Sequence, residues 1–344
     1  MKSIHLITKD ELALDIAPIA PAKYRVQQIW DGVYKNYYQR WEEFTTLPQQ
    51  LQAYLSQSYK LSTVNCIESI NSSDGMTTKF LLHLFDESNI ETVLIRSEDR
   101  NTICISTQVG CAVGCAFCAT GAAGFHRDLT AGEIVDQVSF IAHTLAQSNQ
   151  QITNIVLMGM GEPFLNYQET LQAVSIFNQS DRFDIGARRI TISTIGIPDK
   201  INEFANIGKQ YNLAISLHAP NDNVRKRLVP LANKYTIDEV MRAARFYVEK
   251  TNRRITYEYV LIKGINDSLD HARELGDLVQ NQKCHINLIA LNENEHFDGS
   301  PPEDGTIHEF IQVLLDCGIT TTLRNSQGAG IQAGCGQLSG KYTK

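Results

Sequence analysis

TICISTQVGCAVGCAFCATG, residues 102–121, is the stretch on which the reading of the fold turns. It opens with an apolar, β-branched run that suits a buried strand, then breaks into a loop carrying glycines. That loop holds Cys111, Cys115 and Cys118 in a C-x3-C-x2-C spacing. Toward the C-terminus the rhythm of strand, loop and helix repeats. Apolar runs recur at ITNIVLM (152–158), RITIST (189–194), NLAISL (212–217), ITYEYVLI (255–262), HINLIA (285–290) and ITTTLR (319–324). Most of the intervals have amphipathic helical spacing, and TAGEIVDQVSFIAHTL begins with a capping box of Thr130 and Glu133. This alternation predicts parallel strands with helical crossovers, a complete or partial α/β barrel over residues 101–344. Ligands of such folds gather at the C-terminal ends of the strands.

Toward the N-terminus the pattern changes. KFLLHLF and IETVLI, either side of Asp86–Asn89, predict a short antiparallel strand set over residues 61–100. Before it, Tyr24, Ile29, Trp30 and Val33 fall at helical spacing, followed by Trp41, Phe44, Leu47 and Leu51 with Pro48 as punctuation. Residues 1–60 are therefore expected to form a small helical accessory unit. A chain of 344 residues can hold one large α/β domain with such an appendage.

With 43% hydrophobic and 20% charged residues, the composition is that of an ordinary soluble protein. No run reaches transmembrane length, and the N-terminal stretch lacks the apolar centre of a signal peptide. Of eight cysteines, Cys104, Cys111, Cys115 and Cys118 crowd together, while Cys66, Cys284, Cys317 and Cys335 are scattered. Clustered thiols without an export signal predict a metal site in a reducing cytoplasm rather than a disulfide scaffold. The net charge of −7 weighs against nucleic-acid binding, although an average leaves room for a local basic patch. No heptad run suggests self-association, so a monomer is expected.

The cysteine triplet lacks the fourth ligand of a closed zinc site, since no second CxxC or His-x3-His accompanies it. Three thiolates on a cubane [4Fe–4S] cluster would instead leave one iron open, able to chelate S-adenosylmethionine. Zinc, or a chance spacing, is the competing reading.

The triplet resembles that of the radical S-adenosylmethionine superfamily, whose fold is a partial α/β barrel. The wider text is more specific. QVGCAVGCAFCATGAAGFHRDLTAGEIVDQV, MGMGEPFLN, RRITISTIG, LAISLHAPND, RRITYEYVLIKGINDS and CGQLSGKY together resemble the RlmN/Cfr family of adenosine methyltransferases over essentially the whole chain. The resemblance implies Cys111, Cys115 and Cys118 as cluster ligands. It implies Gly161, Glu162, Ser193, Ser216, Leu217, His218 and Asn292 as contacts to S-adenosylmethionine. LIALNEN around Asn292 departs from the family's usual LIPYNP. Cys335, between two glycines that suggest a flexible exposed thiol, is implied as the methyl-carrying cysteine. The pair Ala333-Gly334 replaces the usual Ala-Ala, a change expected to loosen the loop. Cys104 is implied as the second reactive thiol and Glu91 as a proton acceptor, although Arg96 stands where the family has proline.

The mechanism implied uses two S-adenosylmethionine molecules per turnover. One methylates Cys335; the other gives a 5′-deoxyadenosyl radical that activates this methyl group for addition to an adenine carbon. Cys104 then attacks Cys335 to free the product. The substrate implied is an adenosine of 23S rRNA at the peptidyl-transferase centre, with an adenosine beside the tRNA anticodon as a second target. A flavodoxin or ferredoxin would deliver the electron. GEP and HAP resemble the RlmN side, which methylates C2, more than the Cfr side, which methylates C8 and confers antibiotic resistance. Basic candidates for RNA contact are Lys23, Arg25, Lys35 and Arg40 among aromatics in residues 1–60, a unit expected to clamp RNA, together with Arg188-Arg189, Arg225-Lys226-Arg227 and Arg253-Arg254. Other classes remain open: a radical enzyme with a non-RNA substrate, or an RNA-binding metalloprotein without catalysis.

Overall fold

The computed structural model describes residues 1–324 and 328–340. Its centre is a mixed ten-stranded sheet that does not close. Seven parallel strands run in sequence order across it: Arg100–Cys104, Asn154–Leu157, Ile190–Thr194, Asn212–Ser216, Ile255–Leu261, Cys284–Ala290 and Thr321–Arg324. Each falls on one of the apolar runs read from the sequence. The main helices between them include Ala131–Ala146, Tyr167–Asn178, Pro198–Ala205, Ile237–Thr251, Leu269–Val279 and Asp304–Asp316. The expected partial barrel is the observed fold.

The antiparallel strands Val64–Asn71, Thr77–Leu84 and Asn89–Ser97 join the same sheet, pairing onto the first parallel strand through Val93–Cys104 and Leu94–Ile103. They extend the barrel sheet rather than standing apart from it.

The N-terminal helices Lys9–Ile16, Tyr24–Tyr34 and Gln49–Ser58 share one hydrophobic core with the barrel. A buried polar network reinforces this junction. The Arg182 guanidinium donates to the carbonyls of His5 and Ile7 and to the Tyr34 hydroxyl. His5 meets Asp136 at 3.2 Å, and the Trp30 indole donates to the Asp181 carbonyl at 2.6 Å. The first helix has a sequence signal that the reading above passed over: Thr8 and Glu11 form a capping box.

The Thr130–Glu133 capping box forms as expected. Its Glu133 also pairs with Arg127 at 2.8 Å, tying the helix start to the strand that closes the cysteine loop. Replacing Thr130 by Ala should cost about 1 kcal/mol of stability, read as a lower urea midpoint at unchanged slope.

Candidate active site

The loop with the three cysteines is built as a clamp. Gln108–Gly110 pairs antiparallel with Phe125–Asp128, so residues 111–124 form a closed excursion. Within it Cys118 N–H donates to the Cys115 carbonyl, and a helical turn follows at Ala119–Ala122. Cys111, Cys115 and Cys118 all face one cavity of about 450 Å³. Burial, the first cause in each case, pushes Cys111 up to about 12 and Cys115 far above its usual range. Neutral thiols buried together are poised to exchange protons for a metal centre. Among the described residues no three His, Cys, Asp or Glu side chains converge on a single ion. A cubane needs no such point, because each thiolate binds a different iron, so the donor set fits the cluster.

The turn after the second parallel strand supplies Gly161 and Glu162. Gly161 has φ +101°, and a Cβ there would come within 2.6 Å of Gln108 Cβ. The glycine is needed for the turn to lie against the chain leading into the cysteine loop. Glu162 is 4% exposed. Its two oxygens accept from the backbone N–H groups of Phe164 at 2.9 Å and Ile195 at 2.7 Å. Burial raises its carboxyl to about 7, so a cationic ligand would draw it toward the anion.

Ser193 and Ser216 face each other across adjacent strand ends, their hydroxyls 3.4 Å apart. His218 follows in a left-handed conformation, φ +57°. Its Nδ1 accepts from Val260 N–H at 3.1 Å, which leaves the proton on Nε2. Burial, helped by the Arg225 charge, lowers this imidazole to about 3, so it is neutral. Asn266 fixes the segment: fully buried, it donates to the carbonyls of His218 and Val260 and accepts from Ile262 N–H.

Cys335 and Cys104 line the same cavity as the cysteine triplet. The Cys335 residue is exposed, while its thiol, expected from the glycine neighbours to be exposed, is desolvated on the cavity wall. Gly334 does more than loosen the loop. A Cβ there would approach Asn292 Nδ2 and Gln337 Oε1 to 2.8 Å each, so its absence lets the loop pack down. Desolvation, the largest cause, raises both thiols, Cys104 to about 12, and the Arg324 charge opposes this at each.

The cavity wall therefore includes Cys104, Cys111, Cys115, Cys118, Gly161, Glu162, Ser193, Ser216, His218 and Cys335. Three expected site residues sit elsewhere. Leu217 is fully buried in the core, its N–H donating to the Glu258 carbonyl. Asn292 donates to the Cys335 carbonyl at 3.0 Å and so braces the Cys335 loop. Glu91 is fully buried, paired with Lys79 at 2.9 Å, and accepts from the N–H groups of Ser339 at 2.6 Å and Gly340 at 3.0 Å. Lys79 also donates to the Gln332 carbonyl at 3.4 Å. This pair grips the loop on both sides of Cys335. Glu91, expected as a proton acceptor, is thus placed in this structure where it also anchors the loop, one oxygen beside Lys79 and the other on the loop backbone.

The basic candidates also divide. Arg225 is 1% exposed and donates to the carbonyls of Ile195 and Leu217, so it cannot meet a phosphate. Arg188-Arg189 and Arg253-Arg254 precede strands Ile190–Thr194 and Ile255–Leu261, the end of the barrel away from the cavity. Lys35 and Arg40 pair with Asp31 and Glu43. Lys226 and Arg227 remain exposed on the cavity side. Two cavity residues were missed, Glu258 and Arg324. A charged side chain inside the apolar run ITYEYVLI was the available signal for the first.

A cysteine triplet after the first strand of an open parallel barrel, facing a cavity at the strand ends, defines a radical S-adenosylmethionine enzyme. Residues 105–275 match the Radical SAM superfamily model. Over nearly its whole length the chain is 42% identical to a protein of Staphylococcus epidermidis, spanning 99% of this chain and 93% of that one. A Geobacillus kaustophilus protein is 41% identical, with 100% and 94% covered. Both are called "Probable dual-specificity RNA methyltransferase RlmN". A crystal structure of a radical SAM methyltransferase from Sphaerobacter thermophilus matches with TM-score 0.96 at 43% identity, covering 99% of this chain and all of that one. The chain belongs to the RlmN family of radical SAM RNA methyltransferases, and S-adenosylmethionine with a [4Fe–4S] cluster are its cofactors. Among the described residues, no helix is long and apolar enough to cross a membrane.

Asn266→Ala should cost about 3 kcal/mol, since several backbone groups lose their partner at a dry site. Thermal or chemical denaturation of the purified protein checks this.

Proposed function

We propose that this enzyme methylates C2 of an adenosine in 23S rRNA, and of an adenosine beside the anticodon in tRNA, through a methyl group carried on Cys335. The observation that carries the reading is the placement of Cys335 and Cys104 on the wall of one cavity with the cysteine triplet. Adenine C2 is not a nucleophile, so ordinary methyl transfer to it fails and a radical route is required. Cys111, Cys115 and Cys118 would hold the cluster, which when bound would supply the electron for reductive cleavage of S-adenosylmethionine.

The protein's own groups do the rest. Cys335, as thiolate, takes a methyl group from one S-adenosylmethionine and so becomes the carrier. Glu162 offers a carboxylate to the cofactor's ammonium, while Ser193, Ser216 and neutral His218 offer hydrogen bonds without adding charge. Asn292, Lys79 and Glu91 hold the Cys335 loop over the cavity. Once RNA is attached through Cys335, the ring C2 proton is lost and the Cys104 thiolate attacks the Cys335 sulfur. The sulfur–sulfur bond forms as the carbon–sulfur bond breaks, and the electron pair of the broken bond leaves on the methylene carbon, which takes up a proton to become the methyl group. Reduction of that disulfide resets the enzyme. Two S-adenosylmethionine molecules are consumed per product, a flavodoxin or ferredoxin is the electron donor, and the enzyme works as a monomer. RNA phosphates meet Lys226 and Arg227 at the cavity side.

Anaerobic incubation of reconstituted protein with RNA lacking the modification should yield 2-methyladenosine by nucleoside mass spectrometry. An 8-methyladenosine product would move the enzyme to Cfr-type chemistry. Cys104→Ala should accumulate a protein–RNA adduct on denaturing gels, and Cys335→Ala should give neither adduct nor methylated base. Free methylated RNA from the Cys104 variant at the unmodified rate would end the proposed role of that thiol.

A further inference from the structure

The cavity contains two charged side chains that the roles above leave unused, Glu258 and Arg324. Glu258 lies mid-strand, in register with Ser216 on one side and Asn287 on the other. It is 6% exposed, and its Oε2 accepts from Asn287 Nδ2 at 2.8 Å. Among the described residues its Oε1 has no hydrogen-bond donor. An acceptor position open to the cavity on a half-satisfied buried carboxylate is free to take a donor from a ligand. Arg324 ends the edge strand, on the far side of strand Cys284–Ala290, and its one hydrogen-bond partner among the described residues is the Met158 thioether at 3.9 Å. No ion pair within 4.0 Å joins the two charges among those residues, so each retains capacity facing the cavity. Arg324 also acts electrostatically on both Cys104 and Cys335. The unfilled pair therefore stands beside the thiols that handle the base.

Both side chains line the same cavity, so a ligand that satisfies them carries a hydrogen-bond donor for Glu258 and an acceptor for Arg324. Adenine has that pattern, with its exocyclic amine beside a ring nitrogen. We propose that Glu258 and Arg324 read the target base, Glu258 accepting from the exocyclic amine and Arg324 donating to the neighbouring ring nitrogen. This rests on the RNA-methylation reading above and adds the basis of its selectivity. A base with a carbonyl in place of the amine sets oxygen against carboxylate, and one with neither leaves Oε1 unpaired. Sites built to bond a polar group reject analogues lacking it.

The test uses reconstituted holoenzyme and short RNA carrying adenosine or purine riboside at the target position. Purine riboside keeps the C2 hydrogen and lacks the amine. The unmodified enzyme should show a kcat/KM roughly 10- to 100-fold lower on the purine RNA. Glu258→Gln conserves volume, and Asn287 Nδ2 should hold the new amide oxygen, turning its NH2 group into the cavity. This variant should lose roughly 10- to 100-fold on adenosine RNA and discriminate between the two RNAs by no more than about 3-fold. A Glu258→Gln enzyme that keeps the unmodified ratio would overturn the proposal.

Equilibrium dialysis with S-adenosylmethionine is the second measurement, on Glu258→Gln and Arg324→Lys. Unchanged Kd is expected in both. If Kd rises in step with the loss of turnover, the pair serves the cofactor and the proposal falls. Absence of methylated adenosine with the unmodified enzyme would overturn the RNA reading itself, and this inference with it.

Discussion

The site depends on one backbone seam, where strands Arg100–Cys104 and Asn154–Leu157 continue to bond past their ends. Ile105 N–H donates to Val156, Gly159 to Ile105, and both Thr107 and Gln108 to Met160. Ser106 locks the seam sideways: its hydroxyl donates to the Glu91 carbonyl and accepts from Met160 N–H. The seam therefore fixes the cysteine loop against the Gly161–Glu162 turn and ties both to the antiparallel extension. Gln108 completes the arrangement, its side-chain carbonyl accepting from Glu162 N–H at 2.9 Å. A one-residue slip in a sheet register reverses which face each side chain occupies, so no part of this junction can shift alone.

A second constraint is burial of ionisable groups. Burial raises the Glu162 and Glu258 carboxyls and the Cys104, Cys111 and Cys115 thiols, and it lowers the His218 imidazole. Every one of these shifts favours the neutral form. Arg225 and Arg324 supply positive charge inside this region, and Arg225 gives its donors to carbonyls rather than to carboxylates. Such a site is electrostatically incomplete by itself. It is suited to ligands that arrive with charge of their own, a sulfonium amino acid and an anionic cluster among them.

The parallel strands were legible because a strand covered on both faces must be almost wholly apolar, and each such run stands between helical stretches. The capped helix at Ala131 was legible because its signal is local. The cysteine triplet and the residues at strand ends were legible for a related reason: chain order in a parallel barrel is also spatial order. What escaped depended on contacts between distant segments. Glu91 and Asn292 take their meaning from a loop more than forty residues away in sequence, and no periodicity announces that. Arg225 looked like part of a basic surface run, yet the helix Asp222–Leu228 turns it inward while Lys226 and Arg227 stay outside. Gly334 looked like slack and proved to be a close approach.

The open sheet has a consequence for what the enzyme can admit. The edge strands Val64–Asn71 and Thr321–Arg324 lie at opposite ends of the ten-stranded sheet and do not pair with each other. A closed barrel accepts a guest only along its axis, which demands a free end or a small molecule. Here the loop of residues 328–340 spans part of that opening, with Gly328 against Thr77 and the Ser339 N–H on Glu91. Cys335 therefore rides on the piece of chain that stands in for the missing seam, where a small shift of one loop changes the wall without disturbing any strand pairing.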